Sequence, residues 1–382
     1  MFFPPRKPQT SDRTARFEPN KTSTNHLVSP QKSFYHTRAI VAPSYKAHHH
    51  HLGYEESTMM KKMLLLSSVV AGLMFSAGAQ SAAYTLNVNS ALTADDPLFK
   101  GLNQFKAEVE KRSGGRIEVK LFPSSQLGPD EDVLEQARSG AGVAVVVDGG
   151  RLAPFVKEFG VLGAPYLANN FDEMRKVVTS PLFEGWVQKL RAASGHQVLS
   201  FNWYQGARHL LTEKPVTKPA DLTGVRMRTP GAPVWLETVR GLGATPTPMP
   251  WAEVYSALQM KAIDAAEAQH PATYGSRLFE VVKHITKTGH IQLITGLVGS
   301  KIWFDKLPPD LQAIVREEAL KAGDTGSKAT IESLANFEKM MSEKGVKISE
   351  VDIQPFVAST SVVYDKLGYG DLRKQVNAIL GR

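Results

Sequence analysis

The run "GVRMRTPG", residues 224–231, sets Arg226 and Arg228 between Val225, Met227 and Thr229, the period of a half-buried strand. Pro230 and Gly231 stop it. On a solvated edge an arginine costs little, but in a closed pocket it needs a negative partner. Its planar fork matches a carboxylate through two parallel hydrogen bonds, so anion capture is the chemistry such a position offers. A second charged pair, Asp148 and Arg151, follows an apolar run in "VVVDGGRL". Asp148 suits a ligand contact there, or equally the cap of a following helix.

Catalytic signatures are missing. The chain has no G-x-S-x-G elbow, no H-E-x-x-H pair and no P-loop, and "RGLGATP" holds only G-x-G. It has no cysteine, which removes disulfides and thiolate metal sites. Binding is therefore the leading expectation. The alternatives are an enzyme acting on a small organic acid, or a ligand-presenting sensor or binding protein of another importer.

These side chains need elements to hold them. "YTLNVNSA" (84–91), "RIEVKLF" (116–122) and "VAVVV" (143–147) read as strands, separated by amphipathic helices over 97–115 and 130–140. The order βαβαβ implies a parallel, doubly wound sheet, whose ligands bind beyond the carboxyl ends of the strands. A second α/β unit starts near Gly206, with helical patterns over 233–243 and 251–262. From Pro308 to about Lys344 runs a helical pattern broken only by Gly323 and Gly326. At the standard rise it would span roughly 55 Å, enough to cross two lobes.

The first 83 residues read differently. Lys61 and Lys62 precede an apolar run, Leu64–Ala79, that ends in small residues, the pattern of a signal peptide cleaved after Ala83. Residues 1–58, rich in Pro, Ser and Thr and holding the tract His48–His51, lack apolar periodicity and are expected to be a disordered upstream extension. Setting aside its eight basic and four acidic residues, with Lys61 and Lys62, lowers the net charge from +8 to about +2. A chain that near neutral gives no support to nucleic-acid binding. A monomer in the periplasm is expected.

Across 84–382 the sequence resembles the solute-binding subunits of tripartite ATP-independent periplasmic (TRAP) transporters of the DctP type. The carrying blocks are "GGRIEVKLFPSSQLG" (114–128), "FGVLGAPYL" (159–167), "NWYQGARHL" (202–210), "DLTGVRMRTPG" (221–231), "ATPTPMPWAEVYSALQMKAIDAAE" (244–267) and "LPPDLQAIV" (307–315). The resemblance implies an α/β, two-lobed periplasmic binding protein fold with discontinuous lobes and a long lobe-spanning helix. Lobe I would comprise 84–205 and 294–333, and lobe II 206–293 and 334–382. The lobes would close on a small organic anion and deliver it to TRAP membrane permease subunits.

By the same resemblance Arg228 holds the ligand carboxylate, while Arg226 stays solvated. Arg208 faces the ligand as a second arginine, Trp251 forms an aromatic wall, and Asp148, Arg151 and Asp130 surround the ligand's polar end. Trp203 and Tyr204, adjacent in a strand, would fall on opposite faces with one in the core. Two departures matter. "DAAEAQHP" (264–271) is two residues longer than the usual segment, so His270 or Gln269 would replace its Asn contact. The longer form is similar to the keto-acid binders, which makes Glu267 a contact and a bound cation beside the ligand possible; no other cofactor is implied. Gly231 stands where sialic-acid binders have Asn, which disfavours sialic acid. N-terminal sequencing of the exported protein should read Tyr84 or a residue close by; a mature species keeping residues 1–58 would contradict the leader assignment.

Overall fold

Two 17-residue strands, β4 (His196–Thr212) and β8 (His284–Ser300), run antiparallel through the middle of a nine-stranded sheet. The computed structural model describes residues 82–382, so the upstream extension and all of the leader except Ala82 and Ala83 lie outside the described residues. Before β4 come β1 (Tyr84–Asn89), α1 (Leu98–Arg112), β2 (Ile117–Phe122), α2 (Asp130–Arg138), β3 (Val143–Asp148) and the short α3 (Gly149–Leu152). This is the expected βαβαβ order, and β1 lies parallel to both β2 and β3. The purely parallel sheet expected from it does not form, because β3 continues onto β8, which runs antiparallel to it.

Between the long strands lie β5 (Arg226–Thr229), α4 (Pro233–Gly241), β6 (Thr245–Pro248), β7 (Ala265–Ala268) and α5 (His270–Gly275). β5 is parallel to β6 and β7, and β7 is antiparallel to β4. After β8, the helix α6 (Pro309–Glu343) leads to β9 (Lys347–Glu350), which pairs with β8. The order across the sheet is β2-β1-β3-β8-β4-β7-β5-β6. β4 and β8 thus carry the chain from one half-sheet to the other.

The long strands leave no clean alternation in the sequence because both faces are covered. Trp203 and Tyr204 fall on opposite sides, yet both are buried. Trp203 packs with Leu98, Phe105 and Ala319, and the Tyr204 hydroxyl donates to Gln292 Oε1 at 2.6 Å. Register irregularities interrupt the β4–β8 ladder, one of them between Tyr204 and Gly206. Gly206 has φ +109°, a conformation that costs any other residue dearly.

The helix α6 is unbroken for 35 residues, about 52 Å at 1.5 Å per residue. Gly323 and Gly326 do not interrupt it, because they serve packing. A Cβ on Gly323 would run into the Asn202 side chain, and a Cβ on Gly326 would come within 3.1 Å of the Leu98 carbonyl oxygen and 3.6 Å of Gly101 Cα. A Cβ on Gly101 would in turn strike the Ala322 carbonyl and come within 2.9 Å of Gly326 N. Backbone, not a movable side chain, fills that space. Gly101→Ala should therefore destabilise the protein by roughly 1–3 kcal/mol, the usual cost of overpacking. Equilibrium urea unfolding checks this; an unchanged midpoint would mean that the helices separate freely.

Candidate anion-binding cavity

The cavity forms where short strands end and long strands pass. Its walls are Ser90–Leu92 after β1, Asp148 at the end of β3, Arg228 and Pro230 at the end of β5, and Gln269 after β7. The middles of the long strands add Gln205 and Arg208 from β4 and Leu293 and Thr295 from β8. Asp130, Arg151, Trp235 and Trp251 complete the enclosure, which leaves about 60 Å³ for the centres of water-sized molecules. Six of the eight residues expected at the site line it: Arg228, Arg208, Trp251, Asp148, Arg151 and Asp130.

Arg228 is 2% exposed, yet its nearest hydrogen-bond acceptor is a neutral carbonyl. Its Nε and Nη2 donate to Met249 O at 3.1 and 2.9 Å, and its guanidinium lies 5.2 Å from the Trp251 ring centre. Among the described residues no carboxylate forms a salt bridge with it. Burial, then the nearby Arg151, pushes the guanidinium down to about 9, so it stays charged at neutral pH while poorly compensated. Arg226, on the same face of β5 but at its exposed start, pairs with Asp264 through two hydrogen bonds of 2.9 and 2.8 Å. It is exposed, as expected, but not free.

The other two arginines are met. Arg151 Nη1 bonds Asp148 Oδ2, Nε donates to Glu131 Oε1 at 2.9 Å, and Asp130 Oδ2 lies 3.6 Å away. Although burial opposes it, Asp148, Asp130 and Glu131 together raise the Arg151 pKa. Asp148 also caps α3 through Arg151 N, so the cap and cavity readings hold together. Arg208 turns its fork on Glu267: Nε bonds Oε2 and Nη2 donates to Oε1 at 2.7 Å, while Nη1 donates to Gln269 Oε1 at 2.9 Å.

Asp130, in the first turn of α2, keeps one buried oxygen, Oδ1, without a partner. Burial pushes this carboxyl up to about 6, against the pull of Arg151. Gln205, whose Nε2 donates to Thr295 Oγ1 at 3.3 Å, adds an amide to the lining.

Two expectations change. His270 does not line the cavity: its Nε2 sits 3.0 Å from Glu338 Oε1 on α6 and its ring lies 4.7 Å from that of His209. Gln269, the other choice, does line it. Glu267 is 1% exposed behind Arg208 and reaches the cavity only through it. Its oxygens face Arg208 and, at 3.5 Å, His290, and no group of three or more His, Asp or Glu among the described residues is arranged to hold a metal ion.

Sequence reasoning missed Trp235, which reads as one apolar position on a helix. Its Nε1 donates to Asp148 Oδ1 at 2.8 Å and its ring lies 4.8 Å from the Arg208 guanidinium. It packs against Gly150, where a Cβ would come within 2.5 Å of the indole nitrogen.

A mixed sheet crossed twice by long strands, with a polar cavity at the crossing and a helix spanning the molecule, is a two-lobed periplasmic binding-protein fold. The family described as "Bacterial extracellular solute-binding protein, family 7" matches residues 88–371, and the chain belongs to it: these are the solute-binding proteins of TRAP transporters. Solved structures agree. A TRAP periplasmic solute-binding protein from Escherichia fergusonii, in an apo open form, is 49% identical, with TM-score 0.69 over 78% of this chain and 99% of that one. One from Ochrobacterium anthropi with bound L-fuconate is 32% identical, TM-score 0.75, over the same shares. One from Actinobacillus succinogenes with bound L-galactonate is 31% identical, TM-score 0.76, again over 78% and 99%.

Trp235→Phe keeps a ring over Arg208 but removes the donor to buried Asp148. A hydrogen bond to a charged group contributes about 1.5–3 kcal/mol, so stability should fall by that order. Chemical denaturation of the variant and the parent measures it; no loss would mean that another donor replaces the indole.

Proposed function

We propose that this protein is exported to the periplasm, where it captures a polyhydroxy monocarboxylate, a sugar acid, and passes it to a TRAP permease without chemical change. The observation that carries this reading is Arg228, a buried guanidinium at a strand end with no acidic partner, facing the cavity. A ligand carboxylate would supply the missing charge and meet the fork with two hydrogen bonds. Elsewhere in the lining, Asp130 Oδ1 and the amide and hydroxyl of Gln205 and Thr295 suit ligand hydroxyls, which both donate and accept. The aldonates bound by the Ochrobacterium and Actinobacillus proteins have that form. The lobes would be 84–205 with 294–333, and 206–293 with 334–382, with the irregular step at Gly206 as one crossing point.

The test is calorimetry with L-fuconate and L-galactonate on three variants. Removing one partner of a buried charged pair typically costs about 2–5 kcal/mol, so Arg228→Ala should weaken binding roughly 30- to 5000-fold. Arg228→Lys should recover only part, since an ammonium restores charge but not the fork. Arg226→Ala, whose side chain pairs with Asp264 outside the cavity, should bind normally. If Arg228→Ala binds as tightly as the parent, the carboxylate is held elsewhere.

A further inference from the structure

Three guanidiniums line the cavity, but they do not offer three charges to a ligand. Arg151 is neutralised by Asp148, with Asp130 and Glu131 beside it. Arg208 gives both arms of its fork to Glu267 and its remaining nitrogen to Gln269. Only Arg228 remains uncompensated. We propose that Glu267, although it does not touch the cavity, sets the charge of the ligand: by occupying Arg208 it restricts the site to monoanions and excludes dicarboxylates of the same length. This rests on the reading of Arg228 as the carboxylate anchor.

The geometry supports a fixed mask rather than an exchangeable one. Glu267 sits on β7 opposite Leu210, diagonal to Arg208 on β4, so backbone register holds the pair together. On its far side Glu267 Oε2 lies 3.5 Å from His290 Nε2, and His290 Nδ1 is 2.8 Å from Thr288 Oγ1. Gln269 is held in turn by donating to Gln205 Oε1 at 2.7 Å. Burial pushes the Glu267 carboxyl up, but Arg208 and His290 outweigh it and hold it down at about 2, so it is ionised at any pH a periplasm meets. A second ligand carboxylate reaching Arg208 would meet a guanidinium whose fork is taken. It would lose its water and gain no counter-charge. Glu267 is thus a positioning residue that acts through Arg208.

The probe pair is L-galactonate and galactarate, which share a six-carbon chain and differ by a terminal CH2OH against a carboxylate. The parent protein should favour galactonate by about 100-fold or more, the equivalent of two tenfold steps in affinity. Glu267→Gln frees the Arg208 charge in nearly the same volume and should shift the ratio toward galactarate by at least about tenfold. A merely structural role would weaken both ligands alike and leave the ratio unchanged, which would overturn the proposal. Arg208→Gln combined with Glu267→Gln removes both charges together and should keep the parent's preference for the monoanion. That variant decides the matter alone if Glu267→Gln does not fold: loss of the preference there refutes charge masking. A parent protein that binds galactarate as well as galactonate also refutes it. A parent that binds neither overturns the sugar-acid reading instead.

Discussion

A guanidinium taken out of water without a counter-ion is an expensive thing for a protein to keep, and Arg228 is one. The Met249 carbonyl and the Trp251 ring offset part of the cost; a cation over an aromatic face contributes about 0.5–2 kcal/mol. Neither supplies a negative charge. The deficit is local, since Arg151 and Arg208 have their own carboxylates within a few ångströms. With Arg228 as the proposed carboxylate anchor, solute capture would follow from this imbalance: the anion that enters would complete an ion pair of which the protein has built only half, already dehydrated and fixed in direction.

Holding that half requires rigid support, which the sheet provides. β5 is only four residues long, and its alternation would place Arg226 and Arg228 in equivalent settings. What separates them is position along the strand: the start meets solvent and Asp264, while the carboxyl end lines the cavity with residues of β4 and β8. The same rule places Asp148 at the end of β3 and Gln269 beyond β7. The long strands contribute from their middles, because only they extend through both halves. Binding groups on strands are positioned more precisely than groups on loops.

How much of this could be read from the residues depended on how local the signal was. The alternation around Arg228, the strand end before Asp148 and the long helical pattern of α6 are local, and each has its structural counterpart. The 17-residue strands are not: buried on both faces and interrupted by register shifts, they lack the period-2 pattern by which strands are recognised. Trp235 drew no reading of its own because an indole's hydrogen-bond partner, 87 residues earlier in the chain, leaves no trace in its neighbourhood. The place of Glu267 behind Arg208 likewise depends on the β4–β7 register. Spacing along "DAAEAQHP" carries no information about it.

The comparison structures add a point about conformation. Across equal coverage, this chain superposes better on the fuconate- and galactonate-bound proteins, at TM-scores of 0.75 and 0.76, than on the apo open one at 0.69. Sequence runs the other way, since the open structure is 49% identical and the others 32% and 31%. Relatedness alone therefore does not order the matches: the two ligand-bound structures superpose better on this chain than the more similar open one does. The Trp235–Asp148 hydrogen bond ties α4 to the end of β3 through a contact that belongs to the protein alone. Between two bodies that close on a ligand, a contact of that kind would raise the population of the closed form, and a ligand would then spend less of its binding energy on closure. The same bond helps fix Asp148, whose other carboxylate oxygen accepts from Arg151 and neutralises it.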